Sequence, residues 1–391
     1  MDSPVKPRTR WQVLGPGLLA VLWVVVVGAG CKWVLNEGIA RWQLATGQSV
    51  IAGWAERLPA WVSWYFGGYL GVWSFVIAGA LGSSCGVAAK TLWPNSPLSI
   101  GGWTVVHAIL GFGLVRWGRY GIFEKIMQGL IAVMFAVVIV CGASLVSNFP
   151  DFIRGLVIPT VPPGGLWFIF GLMGGVGGSV TLLCYGYWLD EKKWRGTGRI
   201  PEVRRDLVGA YALTGLFGLA MIVIAAGAKP VDASGTALVI ALGEQLGTIL
   251  GPIGRTSFLV GFWCAVFSSL LGVWQGVPYL FADWWDCRGK QVKREGIKLT
   301  ETTAYRGFLL FLAGPPLILQ FWGKPLLLVV IYAVVGAFFM PFLAATLLVL
   351  NNRSEWVGSM RNSRWSNLGL AISLVLFLLL FCSEIGRMIF T

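Results

Sequence analysis

Apolar residues along this chain fall in blocks of about twenty, neither alternating as in a half-buried strand nor recurring as a single helical stripe. Ten blocks can be drawn, at about 12–35, 66–90, 99–117, 126–147, 166–188, 207–228, 256–282, 305–322, 325–350 and 367–389. Each approaches the roughly 17–25 residues that a membrane-crossing helix needs. A β-barrel would instead alternate apolar and polar positions over about ten residues per strand. The pattern predicts an all-α polytopic membrane protein.

The block 166–188 carries a feature the others lack. Five of the eight residues from Gly171 to Gly178 are glycine, and Thr181, Cys184 and Tyr185 follow. Glycine costs roughly 1 kcal/mol per helical position relative to alanine. Here a membrane helix either packs very closely on a neighbour or comes apart. Interrupted helices are where secondary transporters hold ions, because unwound carbonyls and half-helix ends supply ligands that lipid does not. On the residues alone, a packing seam and a broken-helix site both stay open.

The polar connections set the topology. Loops 116–125, 189–206, 286–304 and 351–366 hold 3, 6, 5 and 3 Lys/Arg, whereas those near 91–98, 148–165, 229–255 and 323–324 hold at most two each. The first set is therefore cytoplasmic. Counting backwards puts 36–60 inside as well, and Lys6, Arg8 and Arg10 argue for an inside N-terminus. Residues 11–35 would then have to cross twice or not at all. As one helix they reach only about 37 Å, enough for a single crossing. That parity conflict belongs to the sequence itself.

A few polar groups stand at or near membrane depth. Glu37 and Arg41 are four apart and share a helix face. They read either as an intracellular gate pair or as an exposed helix end whose ion pair is worth a few tenths of a kcal/mol. His107 is the one histidine and lies mid-block. It is a proton-relay or cation-ligand candidate or, with no carboxylate within ten residues, a satisfied core histidine. Gln275 is a further pathway candidate. Block 66–90 contains no acid.

Composition agrees with the pattern and narrows the chemistry. The chain is 56% hydrophobic and 12% charged, against roughly 25% charged in ordinary globular proteins. A net charge of +13 would suit nucleic acid, but the basic residues sit in short loops between apolar blocks, as the positive-inside rule requires. The seven cysteines show no metal-ligand or redox spacing. No cleavable signal peptide is expected, because the first apolar run is long and lacks an Ala-x-Ala end. No phosphate-binding loop, metalloprotease helix or hydrolase elbow occurs, and the glycine cluster follows no soluble strand, so an enzyme is not expected.

Three stretches resemble a known family. Gly15-Pro16-Gly17-Leu18-Leu19 is similar to the opening of the first helix of NRAMP-type divalent metal transporters. Asn36-Glu37-Gly38-Ile39-Ala40-Arg41-Trp42-Gln43-Leu44-Ala45-Thr46-Gly47 resembles the end of the second helix in a divergent bacterial branch, and Gly174–Trp188 resembles the sixth. The resemblance implies a LeuT-type fold of two inverted five-helix repeats plus an extra helix, with substrate held between broken first and sixth helices. It also implies transport of Mn²⁺, Fe²⁺ or similar ions, often with protons. Two departures stand out. The family's Asp-Pro-Gly-Asn break has no counterpart, as though most of the first helix were missing, and its Met-Pro-His run aligns with Thr181-Leu182-Leu183.

The resulting expectation is a single transmembrane domain over 1–391. It comprises a basic N-terminus (1–11), an incomplete first repeat (12–164), a second repeat (165–350), and a loop with an extra helix (351–391). The expected function is NRAMP-like transport of a divalent cation (Mn, Fe or Mg, with protons as the coupling ion) by alternating access in the inner cell membrane. Lipid bilayer and a small inorganic ion are the expected partners, with no nucleic acid and no resident cofactor. Gly177, Gly178, Thr181, Cys184 and Tyr185 are the candidate lining, with Thr181 and Cys184 as metal ligands. His107, Gln275, Glu37 and Arg41 are the pathway or gate candidates. The alternatives are a degenerate or structural relative without transport, or a LeuT-type carrier of a small organic solute.

Overall fold

The structure, a computed structural model, describes residues 19–118, 120–146, 149–161, 169, 172–173, 175–176, 178–227, 236–288, 298–322 and 325–390. The regular elements among them are helical. In chain order they are α1 (Leu22–Thr46), α2 (Val50–Arg57), α3 (Ala60–Leu92), α4 (Ile100–Trp117), α5 (Tyr120–Ser144) and α6 (Phe149–Val157). Then come a 3₁₀ turn (Val180–Leu183), α7 (Cys184–Glu191), α8 (Ile200–Gly227), α9 (Thr236–Asp286), α10 (Thr303–Ala313), α11 (Pro325–Asn352), α12 (Ser354–Val357) and α13 (Arg364–Phe390). Eight of the described helical segments are long and apolar enough to cross a membrane. α13 contains a shorter apolar stretch, Arg364–Leu379.

Local chemistry sets the helix ends. α1 stops at Gly47, whose φ of +69° is the left-handed cap position that favours glycine, and its N–H returns to the Gln43 carbonyl at 2.8 Å. Ser49 and Ser99 cap the next starts, accepting from the Ala52 and Gly102 N–H groups at 3.1 Å. α9 bends at Gly251, where φ is +73°. This residue divides an outer piece, 236–250, from the long crossing that follows, so the expected block 256–282 is the middle of a longer element.

The first block is the one the structure moves. Among the described residues it is α1, from Leu22 to Thr46, long and apolar enough for one crossing. Its start lies against the outer segment after α5. The Trp23 indole N–H donates to the Thr160 carbonyl at 3.2 Å, and a Cβ on Gly155 would lie 1.8 Å from the Leu19 carbonyl. Its end lies among the cytoplasmic loops. The described residues before the broken segment hold four long helices: α1, α3, α4 and α5. The block drawn as 12–35 stops short of residues 36–46. They continue the membrane helix, because their polar side chains are paired within the protein rather than left for water.

Packing divides the bundle. α1 lies mainly on α8, α13 and α11, while α3 lies mainly on α9, α4 and α11. α5 touches both α8 and α9. The main core runs through the whole assembly, with Trp42, Trp54, Trp73, Trp274 and Phe339 among its fully buried members. Apolar side chains such as Ile109, Val140, Leu216 and Leu379 face outward, as a lipid-exposed surface requires. The chain is a multi-pass membrane protein.

Candidate functional site: a helix break facing a buried lysine

The Gly-rich segment is broken. Its described residues are helical or turn from 169 to 176, and Gly178 then adopts φ +78°. Ser179 follows at φ −132°, ψ −97°, before the 3₁₀ turn opens the second half. A left-handed φ is nearly free for glycine and roughly 1–2 kcal/mol for an L-residue. The break therefore falls where the sequence makes it cheapest. Gly171, Gly174 and Gly177 lie outside the described residues.

α1 follows the broken helix along its length. Gly28 lets it approach Met173 and Val176, with a would-be Cβ 3.6 Å from the Met173 Cα. One turn on, Lys32 is fully buried (0% exposed), and its Nζ donates to the Gly178 carbonyl. Further down, Gln43 reaches Gly186 and donates to Asp190 Oδ2 at 2.8 Å. Of the two open readings, the break is seen at Gly178, whereas the would-be Cβ of Gly175 meets nothing within 4 Å and the close approach is made by Gly28 of α1.

The five lining candidates do not share one surface. The Thr181 hydroxyl folds over the break, 2.5 Å from where a Gly178 Cβ would be. The Cys184 thiol points instead at α9, 2.8 Å from a would-be Cβ on Gly276. Tyr185 faces α8 and donates to Asp206 Oδ2 at 2.8 Å, in a small cytoplasmic cluster with Ala40, Leu44 and Leu189. Helical rotation of about 100° per residue separates 181, 184 and 185 once the segment has re-formed a helix. Among the described residues no three His, Cys, Asp or Glu side chains come together as a metal cluster.

Three polar groups around the break carried no signal in the sequence. Ser179 Oγ lies 2.6 Å from a would-be Cβ on Gly336 of α11, and the Trp73 indole nitrogen lies 3.3 Å from the same point. Trp73 Nε1 and Ser74 Oγ are buried with no hydrogen-bond partner among the described residues. Lys32 went unnoticed for another reason. At the end of a block drawn as 12–35 it is a snorkelling lysine, whereas in a helix spanning 22–46 it is central.

The gate candidates are brought together, and not at an exposed helix end. Glu37 and Arg41 are each 3% exposed and bonded to one another. Arg204 of α8 adds two hydrogen bonds to Glu37 Oε1, at 2.9 and 3.1 Å, and Arg41 also donates to Asn362 Oδ1 at 2.7 Å and Ser366 Oγ at 3.1 Å. Asn351 donates to the Gly38 carbonyl at 2.9 Å, tying α11 to the same turn. This network joins α1, α8, α11 and α13 at the cytoplasmic end. Beside it, Asp283 of α9 is fully buried and accepts from Ser49 and Tyr187, each at 2.5 Å.

His107 is a core clamp. The Trp263 indole N–H donates to its Nε2 at 2.8 Å, which requires Nε2 to be the acceptor; Nδ1 then carries the proton and donates to the Trp103 carbonyl at 2.7 Å. Both nitrogens are used by the neutral ring, and Phe267 closes the site at 5.3 Å between ring centres. Gln275 is an interhelical link, accepting from Trp188 Nε1 at 3.1 Å while its carbonyl accepts from Tyr305.

With this geometry in place, comparison with known proteins is decisive. The sequence pattern of the Natural resistance-associated macrophage protein-like (Nramp) family matches residues 19–384. The chain belongs to the Nramp family. Membership makes it a membrane transport protein of the metal-ion class and not an enzyme. Its fold is shared with a singly substituted manganese transporter from Eremococcus coleocola (TM-score 0.72, 14% identity, covering 97% of this chain and 88% of that one). The same transporter bound to an aromatic bis-isothiourea compound superposes with TM-score 0.66 at 14% identity, covering 97% and 88%. MhsT in complex with L-phenylalanine also shares it (TM-score 0.59, 15% identity, covering 98% and 100%), which makes this Nramp chain a LeuT-type bundle. No curated protein sequence matches the chain.

Proposed function

We propose that this Nramp protein carries a divalent metal cation across the inner cell membrane by alternating access, rocking the α1–α8 side of the bundle against the α3–α9 side. Family membership over residues 19–384 together with a helix break at Gly178 is the observation that carries this reading. The Gly178 carbonyl and the Thr181 hydroxyl are the oxygen ligands offered at the break. Oxygen donors suit hard cations such as Mg²⁺ and Mn²⁺ better than soft ones. Cys184, turned toward α9, contributes less. The Glu37–Arg41–Arg204 network is the cytoplasmic gate, since it ties α1 to α8 across the inner end. Residues 165–350 form the second repeat of this reading, and 12–164 a first repeat short of one helix.

Coupling to protons has little support in α3. Its buried polar groups, Ser83 and Ser84, are neutral, and Gln320 and Thr104 extend them into another uncharged chain through bonds of 2.6 and 3.2 Å. Uptake of Mn²⁺ and Mg²⁺ into proteoliposomes tests the reading. Thr181→Ala is expected to reduce the initial rate about tenfold, the effect of losing one ligand-type contact, while Cys184→Ala changes it less than twofold. Absence of flux for every divalent ion would remove the metal-carrier reading; equal rates for both variants would move the site away from the break.

A further inference from the structure

A guanidinium stands in an aromatic cage at the end of α9. The Arg288 Cζ lies 4.2 Å from the centre of the Trp64 ring of α3 and 4.8 Å from those of Trp284 and Trp285 of α9. The rings are themselves fixed. Trp284 is buried in a notch where a Cβ on Gly67 would overlap it, and its indole N–H donates to the Ser63 carbonyl at 2.8 Å. Trp64 meets it edge-on at 6.0 Å and Trp285 at 6.3 Å. Aromatic faces attract the charge of a guanidinium but accept few of its N–H donors. Among the described residues the Arg288 side chain makes no hydrogen bond or ion pair. The cage also lies where lipid head groups lie. Trp64 and Trp285 are 57% and 51% exposed, near the start of α3 and at the end of α9, and indoles so placed sit at the membrane–water boundary. The connection that begins here, 286–304, carries 5 Lys/Arg and is cytoplasmic by the positive-inside rule, the side on which the leaflet is anionic.

We propose that Arg288 binds the phosphate of an anionic phospholipid in the cytoplasmic leaflet. The indoles hold the guanidinium at head-group depth, and its forked donors take two phosphate oxygens, a bidentate geometry that a lysine does not offer. Two turns further along α3 from Trp64, Val72 is exposed, so the acyl chains meet an apolar face. That continuity favours a lipid over a free phosphate ion. The inference is independent of what the protein carries, because the cage joins α3 to α9 whichever ion crosses.

The test is native mass spectrometry of the full-length protein in detergent, titrated with phosphatidylglycerol and with phosphatidylcholine of the same acyl chains. It compares the unaltered chain with Arg288→Gln, Arg288→Lys and Trp64→Leu. The unaltered chain is expected to bind its first phosphatidylglycerol about fivefold more tightly than phosphatidylcholine, the scale of one basic residue at an anionic surface. Arg288→Gln should bind the two lipids equally. Arg288→Lys, which keeps the charge and loses the fork, should fall between, as should Trp64→Leu, which removes the nearest ring. Both side chains are exposed, so the variants keep the fold. A preference for phosphatidylglycerol that survives Arg288→Gln, or its absence from the unaltered chain, would overturn the proposal. Inorganic phosphate separates a lipid site from a free-anion site. At millimolar concentration it should leave bound phosphatidylglycerol in place, and full displacement would overturn the lipid assignment.

Discussion

The middle of α1 and its cytoplasmic end handle charge in different ways. At the cytoplasmic end the Glu37 carboxylate bridges Arg41 and Arg204 within a web of asparagine and serine partners. At the break one turn and more away, the Lys32 ammonium donates to the Gly178 carbonyl. The first arrangement is a lock, because Glu37 joins Arg41 of its own helix to Arg204 of α8 and opening it separates α1 from α8. In the second, a side chain satisfies a carbonyl of the unwound backbone. One helix thus supplies both, with Lys32 and Glu37 five residues apart.

That contrast breaks most clearly at Glu37. Glu37→Gln leaves Arg41 charged and buried without its counter-ion, which should destabilise the protein by about 3–5 kcal/mol. Thermal unfolding in detergent would read it as a large drop in midpoint. Arg204→Ala removes a half-exposed partner and is expected to cost only about 0–1 kcal/mol. Comparable losses for the two variants would mean the pair is not the lock. At the break, Gly178→Ala places a Cβ in the left-handed region and against Thr181, an expected cost of about 1–2 kcal/mol. Uptake should fall further than stability does, because the carbonyl to which Lys32 bonds would be displaced. His107 serves as a control belonging to neither region. His107→Phe keeps the aromatic packing and forfeits two hydrogen bonds, so stability should drop by about 1–2 kcal/mol. The pH profile of uptake should stay unchanged, and a shifted profile would restore His107 as a proton relay.

Much of the bundle is legible along the chain because membrane helices announce themselves by apolar length, and positive loops announce their side. The break at Gly178 is legible too, since five glycines among eight residues make unwinding there inexpensive. The polar half of α1 was harder to read. Lys32, Asn36, Glu37, Arg41 and Gln43 lower the hydropathy of residues 32–43 enough to suggest an exposed helix end, although every one of them is buried. Hydropathy treats each residue as if it faced lipid alone, and these face Gly178, Tyr211, Arg204, Asn362 and Asp190. The lining candidates suffered the reverse error. Thr181, Cys184 and Tyr185 are close in sequence, but a re-formed helix turns them toward Gly178, α9 and α8 respectively.

Sequence by itself therefore determined the class of molecule, the family and the location of the break. Tertiary structure alone decided where α1 begins, which charges pair with each other and which side chain meets the break. Those outcomes depend on contacts between residues more than a hundred positions apart, such as Lys32 with Gly178 or Arg41 with Asn362. In a low-dielectric interior, the stability of a charge is set by its partner across the bundle rather than by its neighbours along the chain.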